Sequence, residues 1–264
     1  MANGFKAFDS FDNRVNLVGT LTALTALRVG AGRATKVTGT DLPVVRDTFG
    51  RPYLPGSSFK GALRASVESL VRSVSRLPRA VCDPLNGGCV TPREDGETEE
   101  AFQRRVEEQT CFVCRVFGSP WLASKVSVRD LPVEGVWVDQ YEVRNGVGID
   151  RDTGTAAGGL LYDFEVVPAG TAFSCKIAVE NADDWELGLL MLGLRPFELG
   201  EAMLGGARSR GLGAVELKWH ERTQVAGGEG LLNYLAGEAP SVIDGKVTDW
   251  MRSFREKLKE IADA

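Results

Sequence analysis

Four cysteines, one aspartate and a glycine-rich loop carry most of the chemistry this chain can offer. Cys82, Cys89, Cys111 and Cys114 are spaced C-x6-C-x21-C-x2-C. The closing C-x2-C knuckle can bring two thiolates to one ion, and two further cysteines complete a closed, tetrahedral zinc site of structural type. Disulfides are the competing use of the same residues and suit an oxidising compartment. Cys175 lies in an alternating apolar stretch and reads as a core residue. The second feature is Gly205-Gly-Ala-Arg-Ser-Arg-Gly-Leu-Gly213. Its glycines let the backbone approach a ligand closely, and Arg208 and Arg210 add charge to amides that can form an anion nest. An anionic backbone such as RNA is the natural ligand; a plain glycine-rich connection is the alternative.

Acid–base and nucleophilic chemistry is poorly supplied. His220 is the single histidine, which cannot provide both an acid and a base. There is no nucleophile elbow, Walker motif or dinucleotide fingerprint. If the chain cleaves anything, a carboxylate working with a metal ion is the available route. Asp41 stands out, between a Gly/Thr-rich loop (residues 30–40) and the start of a Pro-Val-Val strand. A turn or cap role is its alternative.

The elements that must position these groups follow from apolar periodicity. Residues 14–29 alternate with period two and predict a strand or strand pair. Pro55-Gly-Ser-Ser58 predicts a helix start with a serine as N-cap. Phe59, Leu63, Val67, Leu70 and Val74 then mark the buried side of an amphipathic helix. Its other side carries Lys60, Arg64, Glu68, Arg72 and Arg76 in one i+4 row, read either as a solvated face or, in its first turns, as a phosphate contact. Residues 77–119 read as a turn-rich acidic insertion with little core of its own. Strands are predicted at 125–130, 136–143, 160–167 and 171–179, with a polar, glycine-rich excursion from Arg144 to Gly154. A second helix at 185–200, a closing strand at 213–219 with His220 just beyond it, and a terminal amphipathic helix at about 244–262 complete the order. Strand, helix, strands, helix, strand predicts an α+β fold with a ferredoxin-like core.

At 264 residues, 43% apolar and 25% charged, the chain has the composition of one large globular domain with insertions. No apolar run is long enough for a membrane span, and the first residues lack the apolar stretch of a signal peptide. A cytoplasmic protein with no membrane partner is expected. The net charge of −5 excludes nucleic-acid binding through bulk charge, but its distribution does not exclude a local basic face. Arg51, Lys60, Arg64, Arg72, Arg76 and Arg79 face a single acid, Glu68, within residues 51–80, and the acidic insertion follows.

Five segments in order resemble the RAMP superfamily: Leu27-Arg-Val-Gly-Ala-Gly32, Asp41-Leu-Pro-Val-Val-Arg-Asp47, Leu54-Pro-Gly-Ser-Ser-Phe-Lys-Gly-Ala-Leu-Arg64, Phe117-Gly-Ser119 and Gly205 to Gly213. Over roughly residues 14–220 the chain is similar to the backbone subunit of type III CRISPR effector complexes. The resemblance implies an RRM-like core at about 14–76 and 120–220, a zinc-binding insertion at about 77–119, a thumb-like hairpin at about 140–160 and a C-terminal helical segment at about 228–264. It implies partners as well: a CRISPR guide RNA, a target RNA, and other effector subunits including further backbone copies. Ser57, Ser58, Lys60, Arg64, Gly205, Gly206, Arg208, Ser209 and Arg210 would hold guide phosphates, and Arg144 and Arg151 would lie on the thumb. Asp41 falls where the family has its aspartate for target-RNA cleavage assisted by magnesium or manganese. A four-cysteine insertion resembles the zinc-bearing III-D and III-E branches, and single-domain length favours III-D. The alternatives are an architectural RNA-binding subunit without cleavage, a CRISPR RNA-processing endonuclease using His220, or an unrelated zinc-stapled domain.

Overall fold

A computed structural model of the chain describes residues 8–32, 40–75, 77 and 80–262. Most of the predicted loop before Asp41 (33–39), together with Arg76 and Arg79, lies outside the described residues. The fold starts from strand β1, Asn13–Ala23, which from Arg14 on alternates strictly between half-buried even-numbered and buried odd-numbered residues. Val15, Leu17 and Leu21 are fully buried, so one face of this strand is committed to a core. Strand β2 (Tyr53–Leu54), helix α1 (Gly56–Val74), helix α2 (Glu99–Gln109), helix α3 (Phe112–Phe117), strand β3 (Val126–Val128) and strand β4 (Leu131–Pro132) follow. Next come a hairpin of β5 (Glu142–Ile149) and β6 (Ala156–Val166), strand β7 (Ala172–Glu180), helix α4 (Asp184–Glu198), β8 (Ala202–Met203) and β9 (Ala214–Ala226). Helix α5 (Glu229–Leu235), β10 (Ser241–Val242) and α6 (Val247–Ala262) end the chain.

The main sheet runs β10-β9-β1-β7-β3, with β8 also paired to β9. Every pairing in it is antiparallel. β1 is central, hydrogen-bonded to β7 on one side and β9 on the other. Each helical crossover therefore skips one position: α1 leads from β1 towards β3 past β7, and α4 leads from β7 towards β9 past β1. Helices α1, α4 and α6 share one core with the sheet, through Phe59, Leu63, Leu190, Leu194, Trp250 and Phe254. Phe59 and Phe197 stack at 5.1 Å between α1 and α4. A buried Lys125–Glu186 ion pair of 2.6 Å ties the segment entering β3 to the first turn of α4.

Several sequence expectations need correction. Helix α1 is capped not by a serine but by tertiary structure: its first amide, Gly56 N–H, donates to Asp130 Oδ1 at 2.8 Å, while Pro55 occupies the cap position. The buried row is Phe59, Leu63, Val67 and Val71, and Val74 is 68% exposed because the helix ends as it leaves the core. Residues 136–141 form no strand. Val136 and Val138 point outward, while Trp137 and Tyr141 pack on each other at 5.2 Å and Tyr141 Oη donates to the Gly50 carbonyl. The insertion contains two helices. Thr98 caps α2 by accepting from Ala101 N–H, and acidic Glu99 and Glu100 in the first turn favour the same start. Its own core is Val90, Phe102 and Val106, yet Phe112, Val113, Val116 and Phe117 belong to the main core. The closing strand runs on to Ala226, so His220 lies inside β9 and not beyond it.

Gly188 sets the distance between α4 and α6. A methyl at its α-carbon would stand 2.0 Å from the Trp250 carbonyl oxygen, an approach that backbone atoms cannot yield to without undocking. Gly188→Ala is therefore expected to destabilise the chain by about 1–3 kcal/mol. A urea titration checks this, with a lower midpoint at unchanged slope as the expected outcome.

Candidate functional site

Alternation along β6 sends Asp163 and Glu165 to one side of the hairpin base and Tyr162 and Phe164 to the other. The segment leaving Asp41 is laid against this base, with Leu42 bridged in parallel to Phe164. Glu165 N–H donates to the Leu42 carbonyl at 3.1 Å. The Glu165 carboxylate accepts from Thr40 Oγ1–H, Val44 N–H and the Arg46 guanidinium, which makes it a strap across the incoming chain from Thr40 to Arg46. Asp41 and Asp163 exchange bonds: Asp41 N–H donates to Asp163 Oδ1 at 2.6 Å, and Asp163 N–H to Asp41 Oδ2 at 3.2 Å. Each carboxylate is thus steadied by the other's amide, which offsets the repulsion of two like charges held together. Asp41 is exposed and Asp163 half-buried.

The glycine-rich loop arrives at the same place from the other end of the fold. Gly205 has φ +75°, and a methyl there would stand 2.1 Å from the Arg28 carbonyl oxygen, so only glycine fits. Gly206 N–H donates to that carbonyl at 2.8 Å and Gly213 N–H to the Ala26 carbonyl at 2.9 Å. The loop is thereby strapped to residues 26–28, and Arg208, Ser209 and Arg210 turn outward, exposed, in a 3-10 turn. Arg210 Nη1 donates to Tyr162 Oη. The Arg28 guanidinium lies over the Phe164 ring at 5.7 Å, and its buried Nε has no hydrogen-bond partner among the described residues.

The glycine loop and Arg28 meet the hairpin base at Tyr162 and Phe164, and Asp41 meets the same base at Asp163, on the side to which Asp163 and Glu165 point. Arg144 joins them by register, opposite Phe164 across the hairpin, with its side chain exposed beside Glu142. Arg151 sits apart in the hairpin's exposed turn. Arg28, Tyr162, Asp163 and Glu165 are site residues that sequence reasoning missed. The alternating Tyr-Asp-Phe-Glu stretch was the available signal, and only pairing with the Asp41 segment gives it meaning. His220 takes no part in the contacts of this site: its Nε2 lies 2.7 Å from Thr20 Oγ1, which also donates to Glu134.

Ser57 and Ser58 are exposed in the first turn of α1, whereas Lys60 and Arg64 are half-buried. Lys60 Nζ donates to Ser124 Oγ at 2.7 Å and to the Val126 carbonyl at 3.0 Å. Burial, and then the nearby Arg64 charge, push the Lys60 pKa down. Arg64 donates to Glu68, to the Gly118 carbonyl and to Cys114 Sγ.

The four expected cysteines form the one group of its kind among the described residues, their sulfurs all within 4.8 Å of one another. Cys82 and Cys114 sulfurs are 3.6 Å apart, against about 3.8 Å for two thiolates bound at ~2.3 Å on a tetrahedral ion. Four soft donors, half-buried or buried, suit a metal ion such as zinc. Hydrogen bonds from Cys111 and Cys114 lower the Cys89 thiol to about 2. Burial, with the Cys111 charge, pushes Cys82 up to about 12. Cys114 is raised through its hydrogen bonds to Cys111 and Cys89 and by burial. Cys175 is buried in β7, away from this group, and its thiol is pushed up to about 12 by burial.

Residues 20–216 match the family model described as the RAMP superfamily. The chain is 30% identical over 203 residues to "CRISPR system Cms endoribonuclease Csm3" of Methanocaldococcus jannaschii, covering 73% of both chains. It is 30% identical over 223 residues to the protein of the same name from Methanothermobacter thermautotrophicus, covering 73% of this chain and 78% of that one.

The purified chain is expected to carry one tightly held metal ion, by elemental analysis, and Cys114→Ser to lose it. Cys82 and Cys114 hold their protons strongly, so binding must displace protons and affinity must rise with pH. Between about pH 8 and pH 6 the apparent affinity should fall by up to about tenfold per unit for each proton displaced, which competition with a chromophoric chelator measures.

Proposed function

The chain belongs to the RAMP superfamily, and from that premise we propose that it is a guide-RNA-binding backbone subunit of a type III CRISPR effector complex that cuts guide-paired target RNA through Asp41. Two relatives named as CRISPR endoribonucleases support the activity. The order β9-β1-β7-β3 with two skipping crossovers supports the ferredoxin-like, RRM-like reading of the core, and the β5–β6 hairpin supports the thumb. The observation that carries the proposal is that Asp41 and the arginine-bearing glycine loop are both anchored to the base of the same hairpin, Asp41 through Asp163 and the loop through Tyr162. A carboxylate and a cationic loop with an aromatic platform would then both stand at the foot of the thumb.

Cleavage by this route needs no protein nucleophile. The target's own 2′-hydroxyl attacks the adjacent phosphorus and the bond to the 5′-oxygen breaks, so the protein has only to hold one nucleotide in line. Asp41, steadied by Asp163, would orient the attacking hydroxyl and accept its proton. Arg210 and Arg28 would offset charge on the phosphate oxygens. Magnesium or manganese would be held by Asp41 with Asp163 beside it, oxygen donors that fit a hard divalent ion, and would supply further charge stabilisation. Sequence would be read by guide pairing. Ser57, Ser58, Arg144, Arg151, Arg208, Ser209 and the amides of Gly205 and Gly206 are the proposed RNA contacts. Zinc in the four-cysteine site is proposed as a structural staple of the insertion, which is the feature similar to the III-D branch. Further copies of the chain would assemble along the guide in the cytoplasm.

Target-RNA cleavage by the reconstituted guide complex tests this reading. Asp41→Ala is expected to lower the rate at least about 100-fold, with guide and target affinity within about twofold, and EDTA to have the same effect on the wild type. Asp163→Ala, which leaves Asp41 unsteadied, is expected to slow cutting about tenfold. Unchanged cuts in Asp41→Ala would leave the chain as an architectural subunit. Cutting of precursor repeat RNA by the isolated chain, lost in His220→Ala, would make it a processing enzyme instead.

A further inference from the structure

We infer that the charged row of α1 is the docking face of the metal-binding segment, and that Arg64 is the positioning residue of the thiolate site and not a contact to RNA phosphate. The inference rests on the reading of the four cysteines as a metal site and adds what holds that site to the fold. Arg64 has three side-chain nitrogens, and each has an internal acceptor: Nε on Glu68 at 2.9 Å, Nη1 on the Gly118 carbonyl at 3.0 Å and Nη2 on Cys114 Sγ at 3.3 Å. The Gly118 carbonyl follows the end of α3, the helix that carries Cys114. Two turns further along α1, Arg72 donates to the Cys82 carbonyl at 2.9 Å, and Glu68 lies between the two arginines at 2.9 and 3.6 Å. One turn back, Lys60 holds Ser124 and Val126 just after the insertion. The i+4 row thus grips the cysteine-bearing segment through Arg64 and Arg72, and Lys60 holds the chain where it leaves that segment.

The electrostatics give this grip a purpose. Four thiolates around a divalent cation leave two net negative charges in a half-buried site. Such a site needs hydrogen-bond donors aimed at sulfur. Arg64 supplies one with a full positive charge, and its planar fork lets it hold the backbone of the same segment at once. A lysine there would keep the charge and lose the fork. A guanidinium with every nitrogen engaged has little left for a guide phosphate, whereas Arg208 of the glycine loop is exposed.

The test compares wild type, Arg64→Met and Arg64→Lys as full-length chains, with Arg208→Ala as a control. Readouts are bound zinc, the rate of zinc release to a chromophoric chelator, the thiolate-to-metal charge-transfer band after cobalt(II) substitution, and guide-RNA affinity at several salt concentrations. Arg64→Met is expected to release zinc about 10- to 100-fold faster and to move the band to lower energy, because unpaired sulfur donates more strongly. Arg64→Lys should fall between, and serves with the same readouts if Arg64→Met does not fold. RNA affinity should stay within about twofold when zinc is saturating. Arg208→Ala should instead weaken RNA binding and reduce its salt dependence by about one counterion with zinc release unchanged. Zinc release unaltered in both Arg64 variants, or RNA affinity lost with a reduced salt slope and not restored by zinc, would overturn the inference. A wild-type chain that binds no zinc would sink the metal reading itself, which the first readout separates from failure of the Arg64 role.

Discussion

Everything in this molecule hangs on the double pairing of β1. A strand hydrogen-bonded on both edges, with Val15, Leu17 and Leu21 sealed beneath α1 and α4, cannot slip by one residue without turning its core face to water. That register delivers the chain at Ala23 to a fixed point. From there residues 26–28 receive the glycine loop on one side, and Leu27 bridges to Val167 at the foot of the hairpin on the other. Segments nearly two hundred residues apart in sequence, Arg28 and Arg210, are placed around the same aromatic pair by this one strand.

The hairpin base turns that placement into a site. Glu165 gathers Thr40, Val44 and Arg46, so the backbone after Asp41 is held by a carboxylate rather than by a regular strand. Such a connection is rigid where it is strapped and open where the chain must admit a ligand. Asp41 remains exposed although both its amide and its carboxylate are engaged with Asp163. The same division of labour, rigid support beneath and exposed polar groups above, recurs in the glycine loop. There the Arg28 carbonyl excludes any side chain at Gly205 while Arg208 to Arg210 face solvent.

Helix α1 has two committed sides. Phe59, Leu63, Val67 and Val71 enter the core, Arg64 and Arg72 bond the segment that carries the thiols, and Lys60 bonds the chain just after it. Ser57 and Ser58 in the first turn remain exposed to solvent. The insertion is thus no appendage. Its α3 lies in the main core, and the sulfur cluster sits where α1 charge and α3 packing meet.

The sequence by itself determined the order of the main strands and helices, the core face of β1 and the grouping of the four cysteines, and it singled out Asp41 and the glycine loop as candidates. These are legible because periodicity and ligand spacing are local properties, written within one or two turns of chain. It also supported readings that the folded chain overruled. A serine cap at α1 gave way to Asp130, and the first part of a strand expected at 136–143 gave way to the Trp137–Tyr141 pair. Asp163, Glu165 and Arg28 were invisible for the same reason. Their meaning depends on which distant backbone they meet, and that is decided by long-range pairing: the bridge of Leu42 to Phe164 and the approach of Gly205 to Arg28. Local chemistry names the groups that can act; only tertiary contact decides which of them are spent on holding the fold together and which are left to face a ligand.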